Sequence, residues 1–263
     1  MSIDLDNIQN MFLIADCHNN DQADLQLIKK YNYNSIIKGI LYKYKSNLII
    51  TFGCYDYCGD VFSFASTGFQ LWYYQTMKKI GCLGINTFFH NYSKLIYNEF
   101  ESYINDHIKA FPKGHIYITG ISMGGALSQC FYYHFKQTTQ SSYRVSISTF
   151  GSPRIGDANL RNWFMNNTKS GLCINNYVLF KLIDGYKRAD PVVLFPHCST
   201  SNCYVNNAKL TMIFNKQIEK SVNASNIIDQ PDTDITLKSL ICGSHYSKYW
   251  DEIHDIEQYY NNL

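Results

Sequence analysis

The feature that most constrains this chain is a tight turn, residues 120–124 (Gly-Ile-Ser-Met-Gly), between a predicted strand and a predicted helix. Residues 115–119 form a β-rich run, and residues 126–135 follow with a helical composition. Such a turn exposes its serine beside neighbouring loops, and the glycines allow the backbone to fold tightly. We therefore predict that Ser122 is a nucleophile and that the Met123 N–H, at a helix N-terminus, stabilises an oxyanion. The alternative, a glycine-rich turn with a solvent-facing serine, is disfavoured by the flanking strand and helix.

Strands and helices alternate along the rest of the chain. The predicted strands are residues 35–42, 47–52, 115–119, 145–150, 177–183 and 210–214, with a hairpin turn at Lys45-Ser46. The predicted helices are residues 3–15, 91–111, 126–135, 158–164 and a closing helix after His245. This pattern predicts an α/β fold with a mixed, mostly parallel central sheet flanked by helices. No linker or internal repeat divides the sequence, so we expect residues 1–263 to form a single domain.

Composition excludes two broad classes of protein. Of the 263 residues 46% are hydrophobic and 17% charged, so the chain can bury a substantial core and is not a disordered protein. Lys and Arg number 23 against 21 Asp and Glu, and no basic block is present. A nucleic-acid partner is therefore not expected, because such binding normally uses a basic face.

The start of the chain and its apolar runs indicate where in the cell the protein is expected. The N-terminus is acidic where a secretory signal requires basic residues, and the nearby apolar run at residues 11–15 is too short for a signal core. No run approaches the ~18 apolar residues of a membrane span. We therefore expect a cytoplasmic protein with no transmembrane segment.

The nine cysteines are candidate metal ligands. Cys54-x3-Cys58 and Cys198-x4-Cys203, with His197 beside the second pair, have spacings compatible with zinc, but no second clean pair completes a site. We expect no metal, and mostly reduced thiols that act as small buried hydrophobes. A disulfide between Cys198 and Cys203 would require an oxidising compartment.

A nucleophilic serine on this kind of turn needs an acid and then a histidine later in the chain. Three histidines follow the helix after Ser122, namely His197, His245 and His254. His245 is preferred because it lies in a loop directly before a helix, whereas His254 falls inside that helix. His197 is the rival base, although it follows the best acid by only seven residues.

The best acid is Asp190, in a loop beyond the predicted strand 177–183. Asp184, closer to the end of that strand, is the second candidate. An ionised aspartate would orient the imidazole and stabilise its charged form during proton transfer. The structural alternative for Asp190 is an ordinary turn-forming residue before Pro191.

Four segments together resemble the class 3 (fungal-type) lipases. They are ITGISMGGAL at residues 118–127, TFGSPRIGD at 149–157, DPV at 190–192 and SHYSKYW at 244–250. The resemblance covers about residues 36–255 in a consistent order. It implies an α/β-hydrolase fold, a triad of Ser122, Asp190 and His245, and hydrolysis of acyl esters, typically glycerolipids. No cofactor is required for this chemistry.

The resemblance also assigns a second oxyanion donor and a lid. The family usually carries Phe-Arg-Gly-Thr where this chain has Phe-Gly-Cys-Tyr at residues 52–55, which places the donor at the backbone N–H of Tyr55. Residues 61–77 are rich in aromatic side chains and occupy the region that resembles a mobile lid over an acyl site. Core packing is the alternative interpretation of this stretch.

The functional expectation is a serine ester hydrolase that acts on triacylglycerol or another glycerolipid and contacts a lipid surface transiently. Within enzymes, the alternatives are a phospholipase A1-like activity and a short-ester carboxylesterase. A different class is a catalytically silent hydrolase fold that binds lipid or protein, which the altered loop at Tyr55 would favour and an intact triad would disfavour.

Overall fold

The structure, a computed structural model, describes residues 4–15, 24–33, 37–54, 77–139, 143–168, 173–181, 187–189, 209–214 and 217–222. Its helices are α1 (Ile8–Ala15), α2 (Thr87–Ala110), α3 (Met123–Thr138) and α4 (Ala158–Asn167). Its strands are β1 (Gln26–Tyr33), β2 (Ile37–Tyr44), β3 (Asn47–Cys54), β4 (Met77–Ile80), β5 (Leu83–Asn86), β6 (His115–Ile121), β7 (Arg144–Phe150), β8 (Cys173–Lys181), β9 (Lys187–Ala189), β10 (Lys209–Phe214) and β11 (Gln217–Val222).

One mixed sheet carries most of these strands, in the order β1-β2-β3-β6-β7-β8-β10-β11, with β9 paired to β8. The central pairs β3–β6, β6–β7, β7–β8 and β8–β10 are parallel. The outer pairs β1–β2, β2–β3 and β10–β11 are antiparallel. The predicted mixed sheet with a mostly parallel centre is confirmed.

Helices flank both faces of this sheet. On one face, Phe52 of β3 packs on Phe131 of α3 with ring centroids 5.2 Å apart, and α2 packs against α3. On the other face, the Thr51 hydroxyl donates to the Ile14 carbonyl of α1 at 3.2 Å, and Phe12 of α1 meets Phe150 edge-on. Consecutive residues of a strand point to opposite faces, so helices α3 and α1 lie on opposite sides of the centre of the sheet.

Within the described residues the predicted helices and strands are present, with shifted boundaries and with five further strands, whereas the predicted closing helix after His245 lies outside those residues. The hairpin turn at Lys45-Ser46 is confirmed, because Tyr44 pairs directly with Asn47. Helix α3 begins at Met123, three residues before the predicted start, and β8 spans Cys173–Lys181 where residues 177–183 were predicted. Strands β1, β4, β5, β9 and β11 were not predicted at all. The single-domain expectation stays a prediction.

Helices α2 and α3 meet at two buried histidines. His134 donates its Nε2 proton to the His90 carbonyl at 3.0 Å, and the two ring centroids lie 4.6 Å apart. Burial, together with the charge of His134 and of Lys78 and Lys94, lowers the pKa of His90 to about 4. Burial also lowers the pKa of His134 to about 4. The interface therefore contains two neutral imidazoles at pH 7.

This pair makes the fold acid-labile in a defined range. In the unfolded chain both rings take up protons below about pH 6.5, whereas in the folded chain they stay neutral down to about pH 4. The contribution to stability is fully present above pH 6.5 and is lost as the pH falls towards 4. We expect the Tm to drop by at least about 2–4 °C across this range, the change that about 1 kcal/mol produces in a chain of this size. Thermal unfolding at a series of pH values measures it, and the profile of His134→Gln should be flatter. Equally steep profiles in both proteins would show that other groups cause the acid lability.

Candidate active site

Ser122 is the single residue between the end of β6 and the start of α3, and its backbone is strained. Its φ of 53° and ψ of −122° lie outside the regions that L-residues ordinarily occupy. Two hydrogen bonds hold this conformation: the Ser122 N–H donates to the Phe150 carbonyl at 2.8 Å, and its carbonyl accepts from the Gly125 N–H at 2.9 Å. The strain allows a strand to turn directly into a helix.

The turn presents the serine while burying its neighbours. Among residues 114–135, Ser122 alone is not fully buried. Its hydroxyl makes no capping hydrogen bond to α3, so Oγ is not held by the helix backbone. This placement is what a nucleophile needs, and a merely structural N-cap serine would instead bond the helix backbone.

Met123 is the first residue of α3. The N–H groups of a helix's first turn have no intrahelical acceptor, and the helix dipole makes this end favourable for negative charge. The structure therefore places the Met123 N–H next to Ser122 and at the positive end of a 16-residue helix. An oxyanion formed at Ser122 would develop beside this donor.

Close backbone packing explains the two glycines of the turn. A Cβ on Gly124 would lie 2.1 Å from the carbonyl oxygen of Phe52, and one on Gly120 would lie 2.8 Å from the same oxygen. Real Cβ contacts are never this short, and the obstacle is backbone that cannot rotate away. The glycines therefore let the end of β3 approach the nucleophile turn.

Gly124→Ala should consequently slow the reaction of Ser122 with a fluorophosphonate by at least about 100-fold, because β3 and the turn must separate. Gly81→Ala is the matched control. A Cβ at Gly81 meets nothing within 4 Å, so that change costs only the strain of its positive φ, about 1 kcal/mol. Phosphonylation rates and circular dichroism of both variants measure the effect. Equal rates in the two variants would contradict the packing argument.

The other predicted site residues, Tyr55, Asp190 and His245, lie outside the described residues, and the first two directly follow described strands in the chain. β3 ends at Cys54, one residue before Tyr55, and pairs with β6 through Phe52 opposite Gly120. Asp190 directly follows β9, which pairs with the last three residues of β8. In parallel sheets, ligands bind at the carboxyl ends of the strands, where Ser122 also lies. Other predicted residues and segments are also outside the described part: the rival acid Asp184, the candidate histidines His197 and His245, the lid stretch before Met77, and Cys58, Cys198 and Cys203.

Sequence reasoning missed a hairpin at this edge, β4–β5, which follows the lid stretch. Lys79 forms a 2.7 Å ion pair with Asp157, and the Asp157 N–H donates to the Gly84 carbonyl at 3.0 Å. Burial opposes ionisation of Asp157, but the Lys79 ammonium and the Leu160 N–H outweigh it and lower its pKa. The hairpin is thus fixed to the segment after β7. No local pattern could have revealed it, because its partners lie more than 70 residues away.

The described residues contain neither a cluster of metal ligands nor a membrane-spanning helix. Within these ranges, no three or more His, Cys, Asp or Glu side chains come together as metal ligands. In the same part of the chain, no helix is both long and apolar enough to span a bilayer.

Comparison with known families gives one match. The model of the family Lipase (class 3) matches residues 64–200, just over half of the 263-residue chain. The matched range contains Ser122 and Asp190 and ends before His245. No curated protein sequence matches the chain.

Solved structures of lipases resemble the fold. A lipase from Rhizopus microsporus var. chinensis is 18% identical with a TM-score of 0.58, over 73% of this chain and 62% of that one. The triacylglyceride lipase of Rhizomucor miehei is 17% identical with a TM-score of 0.59, over 75% and 69% of the two chains. A triacylglycerol lipase whose catalytic centre is described as a serine protease triad is 17% identical with a TM-score of 0.56, over 72% and 67%. The chain thus spans about two thirds of these proteins, and the likeness shows an α/β-hydrolase fold.

Proposed function

We propose a function from one premise: this chain belongs to the class 3 lipase family, a family of carboxylic ester hydrolases. On this premise the chain is a lipase-like serine hydrolase with Ser122 as its nucleophile. The observation that carries the proposal is the strained turn, which exposes Ser122 alone among buried neighbours and places the Met123 N–H beside it. Such backbone strain lowers the stability of the fold, and strained residues cluster at functional sites.

The proposed reaction proceeds in two halves. Ser122 Oγ attacks the acyl carbonyl while His245 accepts the serine proton, and His245 then passes this proton to the leaving alcohol. Water, deprotonated by His245, cleaves the acyl-enzyme and regenerates Ser122. Asp190 orients the imidazole and stabilises its positive charge in both halves.

Two backbone N–H groups, those of Met123 and Tyr55, are proposed to bind the oxyanion. For Met123 the support is its position at the start of α3. For Tyr55 the support is the contact of Phe52 with Gly120 and Gly124, since it brings the end of β3 against the turn. A pair of preorganised donors accounts for a large part of the rate in acyl transfer.

The proposed substrate is a triacylglycerol or another glycerolipid, met through a transient contact with a lipid surface. Support comes from the Rhizomucor miehei protein, which is a triacylglyceride lipase of similar fold. The alternative substrates are phospholipids, for a phospholipase A1-like activity, and short soluble esters, for a carboxylesterase. A silent binding module would keep the fold and lack turnover.

A panel of three substrates tests this proposal: emulsified triacylglycerol, phosphatidylcholine vesicles and a soluble short-chain p-nitrophenyl ester. The wild-type chain should release most fatty acid from the triacylglycerol, and Ser122→Ala should release none above background. If residues 61–77 act as a lid, the rate should rise steeply once the ester aggregates; equal rates below and above that threshold would contradict the lid. Folded wild-type protein that hydrolyses none of the three would contradict the proposed function and favour a silent binder.

A further inference from the structure

A buried polar contact joins the nucleophile helix to the segment that follows β7. The Gln129 side chain of α3 is only 3% exposed, and its Nε2 donates to Ser152 Oγ at 2.9 Å. Ser152 is fully buried, and its hydroxyl donates to the Pro153 carbonyl at 3.2 Å. A buried amide destabilises a protein unless it is hydrogen-bonded, so a simple packing role would be served better by an apolar side chain.

This contact is one of three that residues 150–152, at and after the end of β7, make with Ser122 and α3. The Phe150 carbonyl accepts the Ser122 N–H at 2.8 Å. One helical turn further, a Cβ on Gly125 would lie 2.7 Å from the Ser152 Cβ, so helix and segment touch closely there. Gln129 lies one more turn along the same helix face and bonds the same serine. Residues 150–152 therefore contact Ser122, Gly125 and Gln129, which follow one another at intervals of about one helical turn.

On its other side, the first turn of α3 contacts β3, through Gly124 and the Phe52 carbonyl. The helix start is thus held between the ends of β3 and β7, the two strands that flank β6. On the β7 side, the Gln129–Ser152 bond is a directional contact made by side chains. It limits sliding and rotation of α3, and such movement would displace both Ser122 Oγ and the Met123 N–H.

We propose that Gln129, acting through Ser152, is a positioning residue that fixes the nucleophile and the oxyanion donor of Met123 in register with the rest of the site. The proposal rests on the proposed function, because it assigns these two residues to a reaction at Ser122. A shift of about 1 Å in such a site lowers the rate of the chemical step far more than it weakens substrate binding.

The test compares Gln129→Met, Ser152→Ala and the double variant with wild type. On a soluble short-chain ester, Gln129→Met should lower kcat about tenfold with KM changed less than twofold. The rate of phosphonylation by a fluorophosphonate should fall by the same factor. The double variant should be no slower than the slower single variant, because both changes remove one shared bond. Should Gln129→Met not fold, Ser152→Ala, which removes a single oxygen, carries the same comparison.

Tyr132→Phe is the matched control. Tyr132 is a buried residue of the same helix, and its hydroxyl donates to the Asn167 carbonyl of α4 at 2.6 Å, away from the nucleophile turn. This variant should lower the Tm by a similar amount and leave kcat within twofold of wild type. A kcat unchanged in Gln129→Met and Ser152→Ala, or one that falls equally in Tyr132→Phe, would overturn the positioning role alone. A wild type that neither hydrolyses ester nor is phosphonylated would overturn the proposed function, and this role with it.

Discussion

Replacing Ser122 with glycine is expected to abolish ester hydrolysis and at the same time to raise the Tm by about 2–4 °C. Activity is lost because the attacking hydroxyl is gone. Stability rises because the φ of 53° and ψ of −122° at this position strain any residue that has a Cβ. Relief of about 1–3 kcal/mol of strain exceeds the 0.5–1 kcal/mol, roughly, that the added freedom of glycine in the unfolded chain costs.

Ser122→Ala separates the two effects. Alanine also lacks the hydroxyl and keeps the Cβ, so it should be as inactive as glycine while melting at or below the wild-type temperature. Hydrolysis assays and differential scanning calorimetry of the three proteins provide the comparison. A glycine variant less stable than the alanine variant would show that the turn is unstrained, and residual hydrolysis in both would point to another nucleophile.

His245→Ala should lower kcat by about 10⁴-fold, whereas His197→Ala should change it less than about threefold. The reason is that a serine hydroxyl attacks an ester only when a base accepts its proton, and His245 is the proposed base. The folded state of each variant is checked by its Tm, and kcat is measured on the soluble short-chain ester.

The two acids offer a parallel comparison. Asp190→Asn should reduce kcat strongly, because asparagine cannot stabilise a charged imidazole, and Asp184→Asn should not. The reverse pattern in either pair would mean that the base or the acid is the rival residue, with the nucleophile assignment intact. Both pairs lie outside the described residues, so these variants are the direct way to assign them.

The turn at Ser122 was predictable from sequence because the strand and the helix on either side of it are adjacent in the chain. The reason for its glycines is not local, since Gly120 and Gly124 are needed where the carbonyl of the distant residue Phe52 comes too close for a side chain. A five-residue pattern nevertheless carried the geometry. The parallel centre of the sheet followed from the alternation of strands and helices, which restricts how they can connect.

Exposed edge strands, very short strands and contacts between distant residues were not predictable. The first strand, β1, lies at the sheet edge with Leu27 55% exposed, so its hydrophobic pattern is weak. Hairpin β4–β5 has strands of four residues each, and its contacts outside the hairpin include the Lys79–Asp157 ion pair, formed across 78 positions of sequence. The Gln129–Ser152 bond joins residues 23 apart, and neither residue type suggests the other. The roles of Tyr55, Asp190 and His245 came from chain order and family resemblance, and they stay predictions.

The central claim is that Ser122 is an activated nucleophile. Incubation of the folded chain with a fluorophosphonate, followed by mass spectrometry of its peptides, tests this claim most directly. The expected result is one equivalent of label on Ser122 and none in Ser122→Ala. Absence of label on the folded wild type, or label at a different residue, would contradict it.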